Sequence, residues 1–413
     1  MTKESSVLAV FDPREIRRRA HHLLDLATDM KLKHVQVDLS RLGDALLTLL
    51  ETTKGSYPDF HIPPYGVWRD FEAGGIDRWA ALADARAFEG AEHMLTAAAD
   101  LAILTAYMKT MHPPGWLFED PMTGTRVSGK HASALAAFHM FTAGSFSSEM
   151  TDPFRVDAET LIRMEKDELA SGLQWDLQDD TDLLEAMQTH LKRLGEALAL
   201  RSDLFSEGYF TRPGLLMVRA AREADGAVSA QSLLDRLLES LAPVWPGGAE
   251  SGKITLGDSF AHSPLTGADG AVVYPFHLAA QEMVYSLVEP YAWAGLEVAD
   301  LELLTAPADD MHAALFVRSG VLKIKDGPEA PTEDGVRDRM VEIRGVTTAL
   351  TDRLADLLRA ELEVPEEQLP LTCILEGGTS RAGERALQQS DGELQKLGRF
   401  LNPGGVFWLP FGS

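Results

Sequence analysis

Apolar residues recur along most of this chain at three- and four-residue intervals, the spacing of helices that bury one face. Leu23, Leu24, Leu26 and Met30 form one such stripe, and Leu46 through Leu50 belong to a second. The stretch Ala91–Met111 is apolar almost throughout and is stopped by Pro113–Pro114, which lack the amide proton a helix needs. The same spacing predicts helices over Gly129–Phe141, Ala158–Ala170, Asp182–Leu200, Ala230–Leu241 and Phe276–Ala294. A last long helix, about Glu333–Leu362, carries Val341, Val346, Leu350, Leu354, Leu357 and Leu358, and Pro365 closes it. Strand signals are few: Ala271–Tyr274, Val321–Lys325 and Leu371–Leu375. The pattern therefore predicts a mainly α protein with a few short strands (α+β), without internal repeat or heptad array. Its loosest stretches are 57–66, 243–270 and 326–333. The first two are candidate seams. The second divides a helical portion, 1–242, from a C-terminal portion, 243–413, with the strands and a glycosidase-like helical segment.

Composition narrows the function. Of 413 residues, 45% are hydrophobic, enough for one or two packed cores, and the formal net charge is −25. So acidic a surface repels phosphate backbones and anionic headgroups, which argues against nucleic acid and membranes as partners and for a small-molecule substrate. Cys373 is the sole cysteine, so neither an intrachain disulfide nor a cysteine-based zinc site can form. The apolar run Val7–Phe11 is too short for a secretory signal, and no run of about 18 apolar residues offers a membrane span. The cytoplasm is the expected compartment. The 12 histidines are scattered without ligand spacing, and no standard cofactor loop is present, so neither metal nor cofactor is expected. Oligomeric state is not legible.

Four segments crowd charge, aromatic rings and glycine beyond what packing requires. Tyr65–Arg78 holds Trp68, Arg69 and Asp70; its guanidinium can fork onto a phosphate or carboxylate, or Arg69–Asp70 and Asp77–Arg78 can be plain surface pairs. Thr255–His262, followed by Tyr274–His277, offers Asp258, His262 and His277 as a carboxylate with proton donors, or a capped turn with polar neighbours. Leu303–His312 places Asp309 and Asp310 in an apolar run, where they serve as a helix cap or face a pocket. Glu376–Arg385 follows the apolar run Leu371–Leu375, a strand–glycine turn–helix arrangement that can present backbone amides to an anion or simply connect two elements.

Taken in order, these segments resemble the fungal and bacterial uracil-catabolism proteins, long catalogued as a domain of unknown function. The resemblance runs through Trp68–Arg69, Phe71–Glu72 and Asp77–Arg78, then Arg212–Pro213–Gly214, Leu256–Gly257–Asp258, Tyr274–His277 and Leu375–Thr379. Leu278 stands where that family is expected to carry a lysine, and Ser380 where it carries a tryptophan. A weaker resemblance links Pro275–Leu322, with Gln281, to queuosine-salvage N-glycoside hydrolases, and sets Asp309 on their catalytic aspartate. The resemblance implies a route from uracil through its nucleotide to a ribosylurea and urea. N-glycosidic cleavage passes through an oxocarbenium-like state that a carboxylate stabilises. The expected catalytic set is Asp309, or else Asp310 or Asp258, as the sugar-facing carboxylate, with His262 or His277 as proton donor. Arg69 and Arg344 are expected on a ribose phosphate, Trp68 or Tyr274 against a planar group, and Gln281 and Glu376 as further substrate contacts. Attack on the ureido group instead, or a non-enzymatic partner role on the same route, are the alternatives.

Overall fold

The computed structural model describes residues 9–245, 248–252, 254–267, 270–325, 332–389 and 392–401. Most of the expected loop 326–333, and Val7–Leu8 of the early apolar run, lie outside the described residues. The architecture is mainly helical, as the periodicity predicts. Helix α1 (Pro13–Thr28) begins on Asp12, whose carboxylate accepts from the amide of Arg14, with proline in the first turn. Helix α2 (Leu42–Ser56) follows, and α3 (Ala91–Met108) is buried nearly all round from Leu95 onward, which an apolar sequence without a polar face requires. Helix α4 is Gly129–Thr142, and α5 (Leu278–Trp293) lies against α3. Helix α6 is Asp310–Arg318. Helix α7 (Glu333–Leu362) runs 30 residues, opens with Thr332 accepting from the Gly335 amide, and packs on α1. Helix α8 (Ser380–Gln388) packs on α6.

The sheets among the described residues are six two-stranded pairs. Two of them join distant chain: Val35–Val37 pairs antiparallel with Leu322–Ile324, and Ala227–Ser229 pairs parallel with Glu297–Ala299. One hydrophobic cluster of buried residues extends from Ala20 to Leu401, drawing on both sides of the expected seam near residue 243.

Two expectations are corrected. Leu371–Ile374 is helical rather than a strand, and Leu375–Thr379 continues it as a turn of π-helix into α8. A five-residue apolar run fits a strand and a buried helix equally, so tertiary packing decides it. The expected helix Ala158–Ala170 is two, Ala158–Arg163 and Lys166–Leu173.

Candidate functional site

A polar cavity of about 290 Å³ opens where several of these elements converge. Tyr65, Arg69 and Asp70 come from the loop and short helix Trp68–Phe71, and Lys109 from the end of α3. His131 comes from the first turn of α4. Glu376 sits on the π-turn, with Arg381 and Glu384 on α8 beyond it. Two glycines make this convergence possible. A Cβ on Gly66 would lie 2.9 Å from Cα of Ser286 on α5, and one on Gly383 would lie 1.7 Å from the Met311 carbonyl oxygen on α6. Only a residue without a side chain lets the cavity walls approach so closely.

A chain of charges runs from the interior to the cavity. Lys109 Nζ donates to Glu282 Oε1 at 2.5 Å and to Asp70 Oδ2 at 2.7 Å. Asp70 Oδ1 lies 2.5 Å from His131 Nδ1, and His131 Nε2 lies 3.4 Å from Glu384 Oε2. Burial by itself would raise the Asp70 pKa, but Lys109 and His131 outweigh it and hold the carboxyl at about 2. Burial likewise opposes charge on His131, and Asp70 with Glu384 overcomes it, raising the imidazole to about 10. The hydrogen bond from His131 keeps the Glu384 carboxyl below its usual range. Burial pushes the Tyr65 phenol well up, and Glu282, Asp309 and Asp70 push it further, so it stays neutral.

Two more groups shape the rim. Glu376 Oε1 accepts from Arg381 Nη2 at 2.6 Å and from Tyr57 Oη at 2.9 Å, which leaves Oε2 over. Arg69 pairs with Glu289 and with Glu72, each at 2.7 Å. Burial raises Glu289 to about 7, so its carboxyl titrates near neutrality beside that guanidinium. Among the described residues no group of three His, Cys, Asp or Glu side chains is placed to hold a metal ion.

The expected site residues fall in three places. Arg69 and Glu376 line the cavity. Asp309 and Asp310 stand just behind it, beside the lining residue Met311. Asp309 caps α6 by accepting from the His312 amide at 2.9 Å, meets His312 Nδ1 at 2.6 Å and receives Lys130 Nζ at 2.7 Å. Lys130 also lies 3.2 Å from Asp310. Burial opposes charge on Asp309, yet His312 and Lys130 drive its pKa far below the usual carboxylate range.

The third place is packed protein that does not line this cavity. There Asp258 receives both terminal nitrogens of Arg344, at 2.7 and 2.6 Å, and the amide of Leu278 at 2.9 Å, which starts α5. His277 adopts a left-handed backbone, φ 45°, and donates from Nε2 to the Val10 carbonyl at 2.9 Å. His262 pairs with Glu342 at 3.1 Å, and Tyr274 Oη lies 3.2 Å from His22. Gln281 is bound to Thr305 and the Phe276 carbonyl. Trp68 donates its indole N–H to the Ser286 carbonyl at 2.6 Å within the core. Arg78, for which a surface pair with Asp77 was one of the two readings, is buried and bonded to Asp120.

The sequence alone assigned no catalytic role to Lys109, His131, Glu282 or Glu384, although Glu384 lies within the crowded segment Glu376–Arg385. One signal was available: Lys109 ends an apolar helix, and a cation at such a place needs a buried partner.

The family described as "Protein of unknown function (DUF1688)" matches residues 9–395. The chain belongs to that family. Among its relatives is "Protein urg3" of Schizosaccharomyces pombe, 27% identical over 395 residues, covering 92% of this chain and 93% of that protein. Another is "Uracil catabolism protein 4" of Lachancea kluyveri, 24% identical over 388 residues, covering 85% and 86%. The match takes in every element that lines the cavity.

Proposed function

We propose that this protein is an enzyme of uracil catabolism and that it hydrolyses the N-glycosidic bond of a ribosylurea-type or nucleotide-like substrate in the cavity beside Asp70. The pathway comes from the name of the Lachancea relative, which aligns over most of both chains. The chemistry rests on one observation above all: Asp70, a buried carboxylate on the cavity wall, is held ionised by Lys109 and His131. A fixed negative charge in a water-poor wall stabilises a cationic, oxocarbenium-like sugar without any reorganisation during the reaction. Asp309, equally fixed in its charge by His312 and Lys130, adds to that field from behind.

Glu376 Oε2 is the carboxylate oxygen assigned to the attacking water, since Arg381 and Tyr57 engage the other oxygen. Arg69, Arg126 and Arg381 all line the cavity and supply the forked donors that a ribose phosphate needs. The test is to incubate the purified protein with ribosylurea phosphate, uridine phosphate and their dephosphorylated forms, and to identify products by mass spectrometry. Urea with ribose phosphate is expected. Ammonia or carbon dioxide with the sugar still attached to nitrogen would move the reaction to the ureido group, and no turnover of any of the four would overturn the proposal.

A further inference from the structure

We infer that His131 is the general acid of this site, giving its Nε2 proton to the departing nitrogen, with Asp70 and Lys109 as the residues that position it. This rests on the N-glycosidic reading above and names a residue that reading does not require.

Among the residues lining the cavity His131 is the one imidazole, and its side chain is 32% exposed, so a ligand can reach it. Its Nδ1 is tied to Asp70 at 2.5 Å, which fixes the ring's orientation and leaves Nε2 as the nitrogen toward the cavity and Glu384. A carboxylate that orients an imidazole from behind is the arrangement by which hydrolases aim a histidine at a leaving group. Asp70 is itself immobilised by Lys109 at 2.7 Å, and Lys109 by Glu282 at 2.5 Å, so the ring is backed by three packed elements. The other proton carriers on the wall suit the task less well. Tyr65 is held neutral, a weak acid, by burial among carboxylates, and the Lys109 ammonium is engaged by two of them.

The charged groups facing the ring are Asp70 from the short helix Trp68–Phe71 and Glu384 from α8, both negative, so the acid is loaded at neutral pH. In the step, the C–N bonding pair leaves with nitrogen, which takes the Nε2 proton. Water bonds to the anomeric carbon and passes its proton to Glu376. That proton leaves to bulk water, and His131 is reloaded from bulk water through Glu384. The sum is one N-riboside and one water giving one N–H compound and one free sugar.

The test compares H131Q with the native protein on two substrates: ribosylurea phosphate, whose leaving nitrogen needs a proton, and a 4-nitrophenyl riboside phosphate, whose leaving group departs as an anion. H131Q is expected to lose about 10²–10⁴-fold in kcat on the first and to stay within a few-fold of native on the second. D70N, acting through the ring, is expected to move the alkaline limb of the native pH–rate profile downward. Equal losses on both substrates, or no loss on the first, overturn the assignment of His131 while leaving the N-glycosidic reading intact. Failure of the native protein on both substrates overturns that reading, and this one with it. Retention of activity on the nitrophenyl substrate also serves as the folding control for the variant.

Discussion

Around Asp70 and around Asp258 the protein buries carboxylates against cations in much the same way, yet of the two it is the Asp70 cluster that lines the cavity described above. Asp258 has one oxygen on each terminal nitrogen of Arg344, and a further amide from Leu278. Arg344 then donates to the Ala308 carbonyl, immediately before Asp309, and its guanidinium lies over Phe276 at 4.2 Å. These contacts are all with packed protein, and their effect is to fix where α5 and α6 begin. The Asp70 cluster starts from an equally buried pair, Lys109–Glu282, but passes through His131 to Glu384 at the rim. Burial of a charge is therefore a poor marker of function by itself; what distinguishes the two is whether the chain of partners terminates at space a ligand can occupy.

The largest expected effect breaks the closed cluster. Arg344→Met leaves Asp258 buried without its partner and should cost about 3–5 kcal/mol of stability, read from the shift of the urea midpoint. Turnover per folded molecule should hold within a few-fold, because Arg344 is not part of the cavity wall. On the open cluster, Glu376→Gln keeps shape and removes charge. It should lower kcat about 10²–10³-fold, some 3–4 kcal/mol, with the urea midpoint nearly unchanged. A fall in stability rather than in rate would place Glu376 with the structural residues.

A third, smaller effect is in pH. Asp70 has its carboxyl lowered from 3.8 to about 2 by folding, so its contribution is fully present above about pH 4 and is lost as pH falls through 2. That contribution amounts to about 2 kcal/mol, and D70N should flatten the acid limb of a stability–pH curve by that amount. His131 runs the other way: its raised pKa contributes below its unfolded value of 6.5 and is lost as pH rises through about 10. The smallest effect is a control for geometry. Arg222 grips Glu92 with two bonds, 3.0 and 2.8 Å, as Arg344 grips Asp258, but at the surface. Arg222→Ala should cost less than about 1 kcal/mol in the same urea titration.

The helices were legible because periodicity is a local property: Ala230–Leu241 and Glu333–Leu362 have the bounds that their apolar spacing predicts. The run Leu371–Leu375 was not, since five apolar residues carry no period long enough to choose helix over strand. Arg69 and Glu376 were singled out as crowded charges in loops, and the cavity includes them. Its acid–base chain was invisible for a different reason. Asp70 lies 39 residues from Lys109 and 61 from His131, and Lys109 lies 173 from Glu282, so no spacing rule connects them. Asp258, His262 and His277 stand close in sequence, but the partners the structure gives them are packed protein.

The most direct test of the central claim is to supply ribosylurea phosphate carrying nitrogen-15 at both ureido nitrogens and to locate the label by mass spectrometry. Cleavage at the sugar releases doubly labelled urea together with ribose phosphate. Labelled ammonia with no labelled urea would contradict the account.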